Sequence, residues 1–209
     1  MKKILTLLIS LMLPVIAFAD DYNHGLTAYS QGDFKNAAIY FEKACSSGHI
    51  DGCYNLGVLY NLGQGVAANV EKAVELFEIA CNKGNSDGCY NIGILYANGQ
   101  GVKKDNVKAV KFYELACKLQ DAGGCYNAGI IYGNGQGVKQ DNVKAVSFFE
   151  MACNGGHSTG CNNLGIMYTY GKGVKQNKKT ALELFNKSCQ MQDELGCKNY
   201  AITKQELGM

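Results

Sequence analysis

One asparagine recurs at a fixed position along the chain, and its side chain has the chemistry to bind a peptide backbone. A carboxamide donates and accepts hydrogen bonds at once, so it can pair with the N–H and the C=O of an extended chain. The recurring residues are Asn23, Asn55, Asn91, Asn127, Asn163 and Asn199. Six such side chains on one side of a fold would form a ladder for a peptide. The residues predicted to bind a ligand are Asn55, Asn91, Asn127 and Asn163.

The same recurrence has a structural explanation. If the amide formed a hydrogen bond between its own helix and the neighbouring repeat, it would also have to appear once in every repeat, because each junction between repeats would need that bond. Ligand binding and repeat-to-repeat bonding therefore stand as equal alternatives for these asparagines.

The ten cysteines form a second regular set. They fall into five pairs, each separated by eight residues: Cys45 and Cys53, Cys81 and Cys89, Cys117 and Cys125, Cys153 and Cys161, and Cys189 and Cys197. An even, regular set in an exported chain predicts disulfides. Zinc sites usually contain a closely spaced Cys-x-x-Cys, which is absent, and no histidine accompanies each pair. We therefore predict five local disulfides, and no metal or cofactor.

No recognisable catalytic set accompanies these residues. A serine β-lactamase usually carries Ser-x-x-Lys and Lys-Thr-Gly, but Ala181 follows Lys179 and Thr180, and no serine has a lysine three residues later. A zinc lactamase needs a histidine-rich set of ligands. The only histidines of this chain are His24, His49 and His157, which are too few. The last two are expected in solvated turns closed by disulfides. The catalytic residues are therefore unknown.

The repeated Gly-Gln-Gly-Val segments resemble phosphate-binding loops only superficially. No strand is predicted before any of them, and the surrounding pattern is helical, so we interpret them as turns. The tyrosines at another fixed position are interpreted as core residues rather than as a ligand platform. They are Tyr60, Tyr96, Tyr132 and Tyr168.

All of these residues are positioned by a 36-residue repeat. Residues 88–123 match residues 124–159 at 23 of 36 positions, and a fixed period of this length predicts stacked supersecondary units. The predicted fold class is all-α, an α/α solenoid superhelix stapled by local disulfides. The predicted parts are a signal peptide (1–19) and one repeat domain (20–209), divided into a short first repeat (20–51), full repeats (52–87, 88–123, 124–159, 160–195) and a capping helix (196–209).

Each full repeat predicts two helices, near 53–60 and 70–82 in the first of them. Residues suited to capping begin the second helix, at Asp33, Asn69, Asp105, Asp141 and Asn177. Glycine recurs inside the first helix, at Gly25, Gly57, Gly93, Gly129 and Gly165. Because glycine destabilises a helix interior by about 1 kcal/mol relative to alanine, its recurrence predicts close packing against a neighbouring helix.

Residues 1–19 read as a secretory signal peptide, with two lysines, a short apolar run and small residues at 17 and 19. Without Lys2 and Lys3 the basic count falls from 20 to 18, which equals the acidic count. Arginine is absent. A neutral chain without arginine favours neither nucleic acid nor an anionic membrane as partner. We predict an exported, periplasmic or secreted monomer without membrane insertion after signal cleavage.

The repeated motif resembles the Sel1-like repeat, a relative of the tetratricopeptide repeat. It combines Tyr-Asn-x-Gly-x-x-Tyr, Gly-x-Gly-Val and Lys-Ala-x-x-x-Phe/Tyr-x-x-Ala-Cys. The eight-residue cysteine spacing makes the chain similar to the Helicobacter cysteine-rich protein family. This resemblance implies a right-handed superhelix whose concave groove is lined by the first helices.

Two functions follow as expectations from the residues and the resemblance together. The first is a scaffold that binds an extended peptide, a protein or a peptidoglycan-type ligand in the groove. The second is a β-lactam-binding hydrolase with weak β-lactamase activity, which rests on the resemblance alone.

Overall fold

The computed structural model describes residues 21–209, and within that range all regular secondary structure is helical. The predicted signal peptide lies outside the described residues. Helix α1 covers 21–30. The following helices have 13 residues each: α2 (Phe34–Ser46), α3 (Ile50–Leu62), α4 (Val70–Asn82), α5 (Ser86–Asn98), α6 (Asn106–Lys118), α7 (Ala122–Asn134), α8 (Asn142–Asn154), α9 (Ser158–Tyr170), α10 (Lys178–Gln190) and α11 (Glu194–Glu206). The predicted all-α repeat fold is confirmed.

The described chain divides into two compact units. The first unit contains residues 21–88 and 100–102, and the second contains residues 89–99 and 103–209. Phe41, Leu56 and Leu59 are among the buried residues of the first core. Phe149 and Leu164 belong to a core cluster of the second unit. No helix in the described range is long and apolar enough to cross a membrane.

The helices begin where the sequence predicts. The side chains of the five predicted N-caps each accept a hydrogen bond from a backbone N–H of the first turn, as Asp141 does from Lys144 at 3.0 Å. Such caps satisfy backbone donors that have no partner inside the helix. The capping prediction is therefore confirmed.

The recurring glycines let the two helices of one repeat approach closely. A Cβ atom added to Gly129 would lie 2.7 Å from the Phe149 ring, and one added to Gly57 would lie 2.8 Å from the Phe77 ring. Both separations are too short for a real carbon contact, so only glycine fits. The aromatic ring of the second helix thus packs directly on the backbone of the first, as predicted.

The Gly-x-Gly-Val segments form turns, as interpreted from the sequence. Gly135 ends α7 with φ +67° and Gly137 has φ +75°, both in the left-handed region that favours glycine. A Cβ atom added to Gly137 would lie 2.8 Å from Cβ of Asn106 in the preceding repeat. The turn therefore needs both the conformation and the small size of glycine.

Disulfides close the turn between each second helix and the next first helix. The bridged residues are Cys45 and Cys53, Cys117 and Cys125, Cys153 and Cys161, and Cys189 and Cys197. Their Cα atoms are 4.3 to 4.5 Å apart. Cys81 and Cys89 are disulfide-bonded as well, and no cysteine in the described range is free.

Candidate ligand groove

The predicted asparagines occupy one position in successive first helices. They are Asn55 in α3, Asn91 in α5, Asn127 in α7 and Asn163 in α9, and each is half-buried. Asn199 holds the same position in α11 and is also half-buried, whereas Asn23 in α1 is exposed.

Two of these asparagines bond to the preceding repeat. Asn55 Nδ2 donates to the Tyr22 hydroxyl at 3.4 Å, and Asn199 Nδ2 donates to Asn162 Oδ1 at 2.7 Å. Tyr22 and Asn162 occupy equivalent repeat positions, so the two bonds are equivalent. Each uses one N–H of an amide that has two N–H donors and an accepting oxygen. Repeat-to-repeat bonding and ligand binding are therefore compatible roles for this position.

Three cavities of the second unit each contain one of the repeated asparagines. Cavity A, of about 420 Å³, is lined by Asn127, Ile130 and Tyr113. Its more exposed residues are Asn98, Lys104, Asn106 and Gln136. Tyr113 is almost fully buried, and this burial raises its pKa far above the ordinary value of 10, so its ring remains a neutral phenol.

Cavity B, of about 210 Å³, lies one repeat further along. Asn163, Ile166 and Phe149 stand at the positions that Asn127, Ile130 and Tyr113 hold in cavity A. The equivalent outer residues are Asn134, Gln140, Asn142 and Lys172.

Cavity C, of about 240 Å³, repeats the arrangement once more. Asn199, Ile202 and Phe185 line it at the same three repeat positions. Its outer residues differ, because Tyr170 and Glu206 are present and no lysine lines it among the residues the structure describes.

Neighbouring cavities share a lining residue, and together the three cavities form the candidate groove. Ile130 lines both cavity A and cavity B, and Ile166 lines both cavity B and cavity C. We call the asparagine, the aliphatic residue and the aromatic residue of each cavity the floor, and we call the remaining exposed or half-exposed polar residues the rim. The floor thus alternates an amide with an apolar side chain, at positions three residues apart on each first helix.

The repeat that builds this groove is recognised by a family model described as "Sel1 repeat". It matches residues 21–49, 50–85, 86–121, 122–157 and 158–193. The chain belongs to the Sel1 repeat family. The family model places the start of each full repeat two residues before the boundary predicted from the 36-residue period.

Relatives of this chain include a Helicobacter pylori protein named "Putative beta-lactamase HcpC". It is 50% identical over 48 residues, which are 23% of this chain and 17% of the relative. This chain therefore matches less than a fifth of the length of that relative.

Solved structures show the same fold. The protective antigen c5321 of uropathogenic Escherichia coli matches with a TM-score of 0.85 and 28% identity, over 91% of this chain and 42% of that one. The Helicobacter pylori cysteine rich protein B matches with a TM-score of 0.51 and 30% identity, over 63% of this chain and 94% of that one. Both likenesses agree with a Sel1 repeat scaffold.

The rim of the Sel1 groove was not predicted from the sequence. Neither Lys104 nor Lys172 was among the predicted ligand-binding residues, and both line cavities. A signal was present, because polar residues recur after 36 positions, as Asn98 and Asn134 do and as Asn106 and Asn142 do. The period shows which positions are equivalent but not that they face the repeated asparagine.

The histidines of two Sel1 repeats have a structural role, which corrects the expectation of solvated turns. His157 Nδ1 accepts a hydrogen bond from the Gly160 N–H at 3.1 Å and so caps α9. Its ring stacks on Tyr126 at 4.3 Å between centroids. His49 caps α3 and stacks on Tyr22 in the same way. Burial lowers the pKa of His157, and the nearby carboxylates of Asp121 and Asp193 partly oppose this effect.

The repeated tyrosines pack inside the repeats, in agreement with the core interpretation. The Tyr132 ring stacks on Phe148 at 5.7 Å, and Lys144 lies 4.6 Å from its centroid. Tyr96 stacks on Phe112 in the equivalent way. No cluster of three or more His, Cys, Asp or Glu side chains that could hold a metal ion occurs in residues 21–209.

Proposed function

We propose that this Sel1 repeat protein is an exported scaffold whose second unit binds an extended peptide in the groove formed by cavities A, B and C. The observation that carries the proposal is the threefold recurrence of one floor: Asn127, Asn163 and Asn199 each line a cavity beside an aliphatic and an aromatic residue. An extended peptide also repeats its groups, because it presents backbone amides at regular intervals and side chains on alternate sides. A periodic groove therefore fits a periodic ligand.

The chemistry of the floor supports a peptide rather than an unrelated small molecule. Each asparagine can hold a backbone C=O with its N–H and a backbone N–H with its oxygen. The neighbouring isoleucines offer apolar surface to the side chains between those contacts. Ile202 is 46% exposed, so part of this apolar surface remains accessible.

Export is the second part of the proposal. Disulfides persist in oxidising compartments, and the chain carries them at every junction between repeats. Residues 1–19 have the composition of a signal peptide. An extracellular or periplasmic location agrees with both observations.

The test uses a phage-displayed library of random 12-residue peptides, selected against the oxidised protein. Asn127→Ala with Asn163→Ala should abolish enrichment while leaving the free energy of unfolding nearly unchanged. Asn154→Ala is the matched control, because this exposed asparagine ends α8 and lines none of the three cavities. A large loss of stability without any loss of peptide enrichment would assign the asparagines a structural role alone. A digest of peptidoglycan serves as the second probe, because its stem peptides are also extended.

Hydrolysis of a β-lactam is the alternative function, and it rests on the name of the HcpC relative. It is tested with a chromogenic cephalosporin and the purified, oxidised protein. Turnover that scales with protein concentration and disappears in the Asn127→Ala, Asn163→Ala variant would place a hydrolase in the groove. Turnover equal to that of buffer would leave the peptide scaffold as the function.

A further inference from the structure

Cavities A and B share a composition that goes beyond their common floor. Each is lined by four carboxamide side chains and one lysine, and by no aspartate or glutamate of the described chain. In cavity A the amides are Asn98, Asn106, Asn127 and Gln136, and the lysine is Lys104. In cavity B they are Asn134, Gln140, Asn142 and Asn163, and the lysine is Lys172.

The lysine holds a different repeat position in each of the two cavities. Gln140 in cavity B holds the repeat position of Lys104 in cavity A, and Lys172 holds the position of Gln136. At one position lysine is replaced by glutamine in the next repeat, and at the other position glutamine is replaced by lysine. The exchange preserves one positive charge and the same number of amides in each cavity, although neither position keeps its residue type.

The two ammonium groups are not neutralised inside the described chain. Neither Lys104 nor Lys172 forms an ion pair with a carboxylate in residues 21–209, whereas Lys178 Nζ lies 2.7 Å from Glu206 Oε2. Lys172 lies 5.9 Å from the centroid of the Tyr170 ring, which leaves the ammonium free to meet an anion.

An ammonium among carboxamides recognises a carboxylate. The ammonium supplies the charge, and the amide N–H groups supply further donors to the two carboxylate oxygens. A cationic ligand would meet like charge in both cavities. A neutral ligand would leave the lysine without a partner.

We propose, building on the peptide groove described above, that cavities A and B each receive the carboxylate of one acidic side chain from the same extended peptide. The ligand class is therefore an acidic peptide with two Asp or Glu residues spaced to match successive repeats. The two cavities share Ile130, so they are neighbours along the groove proposed above.

The experiment extends the library selection to charge variants of the oxidised, full protein. The wild-type protein should enrich peptides with two acidic residues at a constant spacing. Lys104→Gln and Lys172→Gln should each weaken binding of such a fluorescein-labelled peptide by about threefold, and together by on the order of tenfold, as expected for partly exposed ion pairs. The variant Lys104→Glu with Lys172→Glu should abolish acidic enrichment and select basic peptides instead.

A matched control separates local recognition from net charge. Lys111→Glu with Lys187→Glu makes the same change in net charge on exposed residues of α6 and α10 that line none of the three cavities. This control should keep the acidic consensus. The Lys→Gln variants conserve side-chain length, so they keep the test valid if the charge reversal disturbs folding.

The outcomes distinguish this inference from the proposed function. Enrichment of neutral or basic peptides that still depends on Asn127 and Asn163 would overturn the acidic class and leave the peptide groove intact. If the control and the Lys104→Glu, Lys172→Glu variant lose the enrichment of acidic peptides equally, the acidic class is overturned too, because only the net charge of the protein would then matter. Failure to enrich any peptide in an asparagine-dependent way would overturn the groove itself.

Discussion

Cavities A and B differ from cavity C in their rims and not in their floors. All three contain an asparagine, an aliphatic residue and an aromatic residue at the same repeat positions. At the rim, Tyr170 replaces the amides of Asn98 and Asn134, and Glu206 brings a carboxylate. The floor therefore depends on the packing of the fold, whereas the rim can change from repeat to repeat.

The physical reason is the different burial of the two regions. Phe149 is 4% exposed and packs on a glycine, so its replacement would disturb two helices. Tyr170 is 68% exposed and can change without altering the core. Stability should therefore depend on the aromatic residues of the floor, and the choice of ligand on the rim.

The largest effect is expected from the bridge that holds the two sides of cavity B together. Cys153 in α8 and Cys161 in α9 link the helices that carry Phe149 and Asn163. Replacing both cysteines by alanine should lower the free energy of unfolding by about 2.6 kcal/mol, because the open chain regains the entropy of a loop of about nine residues. Urea unfolding measures the loss. A change below about 1 kcal/mol would show that turn packing, and not the bridge, fixes the floor.

The next largest effect is expected at a glycine of α7 that packs against the Phe149 ring, compared with a second glycine of the same helix. Gly129→Ala should lower the free energy of unfolding by about 2 kcal/mol, since the new methyl group would overlap the Phe149 ring. Gly133→Ala is the matched control, because its Cβ would meet only Cβ of Ala145, at 3.5 Å. The control should gain about 0.5 kcal/mol from helix propensity. Equal effects in urea unfolding would show that the close packing of the Phe149 ring on Gly129 does not matter for stability.

A smaller effect than that of Gly129→Ala is expected at a turn that belongs to neither region. Gln120 has φ +68°, where equivalent positions of other repeats carry Gly84 and Gly156. Gln120→Gly should raise the free energy of unfolding by about 1 kcal/mol, because glycine adopts this conformation without steric cost. The melting temperature should rise, while peptide binding stays constant. A decrease in stability would show that the Gln120 side chain makes a contact that stabilises the fold by more than its left-handed backbone conformation destabilises it.

The rim comparison can be tested by grafting. Tyr170→Asn, Gln176→Lys and Lys178→Asn place the residue types of Asn98, Lys104 and Asn106 at the equivalent positions of cavity C, and Glu206→Gln removes the carboxylate that pairs with Lys178. A peptide with three acidic residues should then bind about threefold more tightly than it binds the wild-type protein, as one more exposed ion pair predicts. Fluorescence anisotropy measures the affinity, and a two-acid peptide serves as control. Unchanged affinity for the three-acid peptide would mean that the rim does not select the ligand.

The smallest effect concerns pH and the cap of α9. His157 accepts a hydrogen bond through Nδ1, so it must be neutral there, and burial lowers its pKa below the ordinary value of 6.5. Its contribution to stability is therefore complete above about pH 6.5 and is lost as the pH falls below that value. His157→Asn should flatten this dependence in urea unfolding between pH 7 and 5, since Asn85 caps α5 equivalently. If the substitution leaves the slope of the unfolding free energy against pH unchanged, groups other than His157 cause that pH dependence.

Several features were predictable because they depend on residues close together in the chain. Asp105 and Asp141 cap their helices through contacts three residues away, and the disulfides join residues eight positions apart. The glycine recurrence pointed to close packing without showing its partner, which proved to be an aromatic ring such as Phe149. His157 was misjudged because its stacking partner, Tyr126, lies 31 positions earlier in the sequence.

The repeat, the helices, their caps, the cysteine pairing and the recurring asparagines could all be derived from the sequence, because each is a local pattern that recurs every 36 residues. Which residues of different repeats share a cavity depends instead on how the repeats stack. Lys104 lines the same cavity as Gln136, and Gln140 lines the same cavity as Lys172, although 32 positions separate the members of each pair. Stacking of one repeat on the next brings them together, and a one-dimensional period does not specify which side chains face each other across that junction.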